Sequence, residues 1–245
     1  MPDRPESSEQ FCVRGTAGGW QPFLPVAADV PVDIPELLIG VPEFLSMTGP
    51  GPHFRAAMRA EFPAQQPGQV LVALAEDGKV ALVACPQESG AEAYTAMVAD
   101  LLTIGGRLWR RDYQTFAAEF QQALGSEPAA AIQRRAGAGF QAQAFAQNVE
   151  ARLRQGRFPV YVVVPALAPE ANDAIAYLRS MNMDVKVLGV DTFQSAGIEA
   201  AAPTTSVKTL QPGQTRPAPQ QPAAGKRPPP QDQRRKPDDR RWFKR

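Results

Sequence analysis

The chain has 245 residues, 44% of them hydrophobic, with 26 Lys/Arg against 25 Asp/Glu and 25 prolines, enough for one ordinary globular core plus an appendage. Cys12, Cys85 and the single histidine, His53, are too few for a disulfide framework or a Cys/His zinc site. The longest apolar stretch, Phe158 to Pro169, is far short of the roughly 20 residues that cross a bilayer, and the opening MPDRPESSEQ lacks the apolar core of a secretory signal. A soluble cytoplasmic protein is the expectation.

Pro35 to Leu38 reads as a short helix, and His53 precedes a short amphipathic helix expected over Phe54 to Phe62. Val70 to Leu74 and Val80 to Ala84 are apolar runs separated by Glu76-Asp77-Gly78-Lys79, and Asp-Gly between such runs signals a hairpin. From Ala91 to about Ile104, Tyr94, Met97, Val98, Leu101 and Leu102 recur at helical spacing, and Gly105-Gly106 supplies a stop. A second helix, Asp112 to Leu124, opens on an Asp cap and aligns Phe116, Phe120 and Leu124. A third runs from about Phe140 to Gln155 and ends at Gly156.

Phe158 to Val164 is a β-branched and aromatic run, as expected for a strand buried on both faces. Pro169-Glu170 opens a helix carrying Ile175, Tyr177, Leu178 and Met181, and Asp184 to Val190 is a further strand. The two strands should lie parallel, joined by a right-handed crossover. The fold class is therefore α/β, with a mixed sheet built from a hairpin, then helices, then a βαβ unit.

The charge balance conceals a division at about residue 200. Residues 1–200 hold 15 Lys/Arg and 22 Asp/Glu, whereas residues 201–245 hold 11 Lys/Arg, 3 Asp and nine prolines. A segment so poor in apolar side chains cannot offset the entropy of ordering its backbone, so Pro203 to Arg245 is expected to be a disordered basic tail.

The words PELL (from Pro35), VLVALAEDGKVALVACP (from Val70), RLWRRDYQTF (from Arg107) and RFPVYVVVPALAPEANDAIAYLRSMNMDVKVLGVDTF (from Arg157), in this order, resemble the PD-(D/E)XK nuclease superfamily and its NucS-like endonuclease branch. The resemblance covers roughly residues 35–191 and implies a restriction-endonuclease-like core. In such nucleases an Asp at the start of the hairpin and a Glu-x-Lys at its end gather magnesium or manganese and a water. Matching Gly78 to the family's turn glycine puts Val70, or a neighbouring apolar residue, at the Asp position, Ala84 at the Glu position and Pro86 at the Lys position. The Gln and Tyr of the following helix become Asp100 and Ile104. Apolar side chains cannot ligate a hard cation, so the resemblance implies a core whose catalytic residues are lost. Asp77, Glu88 and Asp100 form an alternative carboxylate set, the basis of a metal-dependent endonuclease reading. Against it, Glu-Asp-Gly is ordinary turn chemistry.

Other reactive groups carry less. His53 lacks partners at catalytic spacing and reads as a surface or capping residue. Ser7, Ser8 and Ser89 sit in no nucleophile-elbow pattern. Cys85 ends an apolar strand and reads as a small hydrophobe, and Gly137-Ala138-Gly139 as a helix break rather than a phosphate loop.

Among the body's cations, Arg107, Arg110, Arg111, Arg134, Arg135, Arg152, Arg154 and Arg157 fall in one third of the domain, where they either contact phosphates or form solvated pairs with Asp112, Glu119 or Glu150. The chain ends KRPPPQDQRRKPDDRRWFKR, nine Lys/Arg in twenty residues. Lys226, Arg227, Arg234, Arg235, Lys236, Arg240, Arg241, Lys244 and Arg245, with Arg107, Arg110 and Arg111, are the expected phosphate contacts, and Trp242 the expected stacking residue. The leading expectation is a non-catalytic, nuclease-like accessory factor that binds nucleic acid through this tail, without metal or cofactor. A second reading is an adaptor that self-associates through the body and offers Trp242-Phe243 to a protein groove.

Overall fold

The computed structural model describes residues 11–14, 20–23, 26–27, 32–47, 50–60, 69–86, 91–195 and 198–205. Strands β1 (Phe11–Arg14) and β2 (Trp20–Phe23) form an antiparallel pair of their own. The main sheet takes β3 (Val26–Ala27), β4 (Phe54–Arg59), β5 (Val70–Ala75), β6 (Val80–Ala84), β7 (Val160–Val164), β8 (Val185–Ser195) and β9 (Ile198–Thr204). Its order is β3-β8-β7-β6-β5-β4, with β9 also paired to β8. The β4-β5-β6 meander is antiparallel, β6-β7-β8 are parallel, and β8 is antiparallel to β3 and β9. The expected mixed α/β architecture is therefore present.

Alternation along the central strands divides the core in two. Val70, Val72, Leu74, Val80, Leu82, Ala84, Val160 and Val162 face one way. There they meet helices α2 (Ala91–Leu108), α3 (Tyr113–Leu124), α4 (Pro128–Ala136), α5 (Ala142–Gln155) and α6 (Pro169–Ser180). Leu71, Ala73, Ala81, Val83, Tyr161 and Val163 face the other way, under helix α1 (Ile34–Gly40) and a 3-10 turn, Pro42–Ser46. Two-sided burial is why β5, β6 and β7 read as unbroken apolar runs.

The hairpin turn forms as its sequence requires. Gly78 sits at φ +80°, and its amide donates to the Ala75 carbonyl at 3.0 Å. The turn is also docked on α5: a Cβ at Gly78 would lie 2.5 Å from Asn148 Cβ, and the Asn148 side-chain amide donates to the Asp77 carbonyl at 3.0 Å. Helix α3 starts as expected, with the Asp112 carboxylate accepting from the Thr115 amide at 2.7 Å, and Gly125 and Gly156 close α3 and α5 in the left-handed conformation.

Four expectations are corrected. Phe54 to Phe62 is not a helix; Phe54–Arg59 is strand β4. A bulge between Phe54 and Ala56 breaks the period of two, putting Phe54 and Ala57 on the α1 side while Ala56 and Met58 face α2–α6, and that three-residue interval imitates a helical stripe. Helix α2 does not stop at Gly105-Gly106 but continues to Leu108. The completely buried Leu108 contributes about 1.5–3 kcal/mol, which offsets about 1 kcal/mol for each helical glycine. On α6 the buried face is Ala171, Ile175 and Leu178; Tyr177 is 54% exposed and Met181 37%. Finally, the sheet continues to Thr204 in β9, past the expected boundary of the body. Helix α4 was not anticipated, having Ile132 as its one large buried side chain.

Candidate functional site

The positions that the resemblance assigns to metal ligands can be located directly. Val70 and Ala84 are register partners, so their side chains project to the same face of the hairpin. Both are buried, with Tyr94, Met97 and Leu101 of α2 in the same apolar cluster. Pro86 is buried as well, and the Cys85 amide donates to the Gln69 carbonyl at 2.7 Å, closing the end of the hairpin. A hard cation here would find hydrocarbon on every strand position examined by the resemblance.

The alternative carboxylates are not gathered there. Asp77 belongs to the opposite end of the hairpin, four residues or about 13 Å along the strand from Val70 to Leu74. Its carboxylate accepts from the Lys79 amide at 3.1 Å and pairs with Lys79 Nζ at 3.0 Å. Asp100 on α2 is buried and engaged within the fold, and Glu88 lies outside the described residues. Among the described residues, no three His, Cys, Asp or Glu side chains come together as a metal site. Cys85 is fully buried, which pushes its thiol well above the ordinary range and leaves it protonated and unreactive. His53 is exposed, and its carbonyl accepts from the Glu76 amide at 3.0 Å.

The body arginines separate into two groups. Arg111 pairs with Glu119, Arg135 with Glu43 at 3.1 Å, and Arg154 with Glu150 at 2.5 Å; Arg134 donates to Ser126. Arg135 and Arg154 make exposed surface pairs, whereas the Arg111 side chain is 22% exposed and its paired nitrogen is buried. Arg107 is exposed on the last turn of α2. Arg110, Arg152 and Arg157 have no acidic partner among the described residues; Arg110 packs on Trp109, while Arg152 and Arg157 line a cleft that Trp109 also lines. Arg110 takes φ +64° and lays its guanidinium 4.2 Å from the Trp109 ring centroid. The Trp109 indole N–H donates to the Arg154 carbonyl at 3.2 Å, and its ring lies on Gly156, where a Cβ would come within 2.5 Å. Trp109 is thus fixed, yet 47% exposed.

Trp109 forms one lip of a cleft of about 700 Å³ across the N-terminal edge of the parallel strands. Leu82, Leu101, Phe158 and Met183 supply its apolar floor, and Gly105-Gly106 a stretch of wall without side chains. Lys79, Arg152, Arg157 and Lys186 stand on its rim, with Asp184 the one acid in the lining. Lys186 lies 5.5 Å from the Tyr161 ring centroid. Sequence reading missed Trp109, Lys186 and the cleft; the glycine pair inside a helical pattern was the available signal.

The tail residues Lys226, Arg227, Arg234, Arg235, Lys236, Arg240, Arg241, Trp242, Phe243, Lys244 and Arg245 lie outside the described residues. Among the described residues no helix is long and apolar enough to cross a membrane. No family model, no curated protein and no solved structure matches the chain.

Proposed function

We propose that the chain is a non-catalytic, nuclease-like protein that binds nucleic acid as an accessory factor, with the basic tail supplying affinity and the body a docking surface. The observation that carries the reading is the segregation of charge: 11 Lys/Arg against 3 Asp in residues 201–245, joined to a body with 15 Lys/Arg and 22 Asp/Glu. Phosphate neutralisation by such a segment releases counterions and gives sequence-independent binding. The order of hairpin, helices and βαβ unit supports the PD-(D/E)XK, restriction-endonuclease-like assignment. The apolar Val70–Ala84 pair supports the absence of catalysis. Arg110 on Trp109, and Arg152 and Arg157 in the cleft lining, are the body groups suited to phosphate contact.

The test is binding of the full chain to single-stranded DNA across a salt series, beside a full-length variant whose nine Lys/Arg in residues 226–245 are glutamine. If all nine engaged phosphates the log–log slope would approach about −6, and the glutamine variant would lose most of it. Salt-insensitive binding, or binding unchanged in the variant, overturns the reading. Metal-dependent cleavage abolished by Asp100→Ala would replace it with the endonuclease.

A further inference from the structure

The cleft beside Trp109 lies at the opposite end of β6 from Ala84 and is distinct from the lost nuclease site. Its most telling feature is the glycine pair in its wall. Two adjacent glycines within a helix contradict local propensity, and such contradictions concentrate at functional positions. Packing does not demand them. A Cβ on Gly105 would meet Leu82 Cδ1 at 3.5 Å and Phe158 Cδ2 at 3.9 Å, ordinary contact distances, and one on Gly106 would meet nothing within 4 Å. Neither has a positive φ. What the glycines do is leave bare helix backbone facing the cleft, so that a flat ligand can approach closely.

The remaining lining states the ligand's chemistry. A volume of about 700 Å³ is that of a small-molecule site. Trp109, 47% exposed, offers aromatic surface to a flat, apolar body, with the buried Phe158 beneath the floor. Arg152, Arg157 and Lys186 have no acidic partner among the described residues, and against them stands only Asp184, since Asp77 engages Lys79. Three solvated cations at the mouth of an aromatic cleft favour a multiply charged anionic group at the rim.

We propose that this cleft binds a nucleoside phosphate, with the base on the aromatic and glycine surface and the phosphate among Arg152, Arg157 and Lys186. The ligand is either a free nucleotide or the terminal nucleotide of a strand. The site operates independently of the tail.

The test is calorimetric titration of the full-length chain with adenosine 5′-monophosphate, adenosine and inorganic phosphate, at one fixed salt concentration. The monophosphate binds saturably and more tightly than either part. Gly106→Leu, which fills the open wall with a good helix former, weakens it at least tenfold while circular dichroism and melting temperature show an intact fold. Arg157→Gln with Lys186→Gln weakens the monophosphate severalfold and leaves adenosine unchanged. The variant with a neutral tail retains monophosphate binding, which separates this site from failure of the tail reading. A 5′-phosphorylated trinucleotide that displaces the monophosphate identifies a strand end, and one that does not identifies a free nucleotide. No monophosphate binding at millimolar concentration, or equal binding by Gly106→Leu, overturns the proposal.

Discussion

Alanine at Gly105 and at Gly106 is expected to make the protein more stable, although both positions lie in a helix packed against the core. Glycine in a helix interior is about 0.8–1.0 kcal/mol less favourable than alanine, because its unfolded backbone has more freedom to lose. At Gly106 a methyl group meets nothing within 4 Å, so propensity alone acts and the gain is about 1 kcal/mol or less, reduced by fraying near the helix end. At Gly105 the methyl would rest 3.5 Å from Leu82 Cδ1 and 3.9 Å from Phe158 Cδ2, so a small burial gain adds to the propensity gain. The two methyls meet no common partner, and the double variant should approach the sum, about 2 kcal/mol. Urea unfolding followed by circular dichroism should show a higher midpoint at unchanged slope. Thermal melts should rise by about 2–4 °C for each kcal/mol in a chain of this size. A lower midpoint for either single variant would show that conformation or packing requires the glycine, and the argument from the bare cleft wall would fall with it.

Gly78→Ala should do the reverse. Its φ of +80° and the 2.5 Å approach to Asn148 Cβ, with the Phe145 carbonyl at 2.9 Å, add backbone strain to a clash with α5. A loss of about 3 kcal/mol or more is expected in urea unfolding, and a loss below 1 would show that the hairpin turn is not docked on that helix. Asp112→Ala removes the cap of α3. The carboxyl of Asp112 is held below its usual range chiefly by the Thr115 amide, then by the Thr115 hydroxyl, so its contribution is present above about pH 4 and lost as the pH falls through the lowered folded value. The variant should be less stable at neutral pH, with the difference narrowing in acid; a difference that stayed constant down to pH 2 would refute the assignment.

What was legible in the sequence is what single residues enforce locally. Gly78 follows Asp77 because the three-residue loop Glu76-Asp77-Gly78 between the paired Ala75 and Lys79 closes on a residue at positive φ, Asp112 caps because an exposed carboxylate satisfies a free amide, and the Val160–Val164 run is buried on both faces. Illegible features depend on something outside the local window. The bulge at the start of β4 shifts alternation by one residue, so Phe54 and Ala57 imitate helical spacing. Helix α4 carries local signals, Pro128 in its first turn and an alanine run, but buries Ile132 as its one large side chain against neighbours supplied by other elements. The cleft gathers side chains from the hairpin turn, α2, α5 and the β7–β8 connection, and no spacing along the chain records that meeting.

Where the charges stand decides what kind of protein these elements make. Asp100 is the one buried charged side chain among the described residues, while the cations of the body are at the surface or at the cleft rim. A metal site between β5, β6 and α2 would need several carboxylates brought out of water, each costing several kcal/mol until a cation compensates it. Val70, Ala84 and Met97 instead fill that space with apolar contacts, so the same volume cannot serve both as core and as catalytic centre. The guanidinium and ammonium groups of Arg152, Arg157 and Lys186 are exposed and keep their hydration. A carboxylate-rich metal site is therefore incompatible with the apolar packing at Val70, Ala84 and Met97.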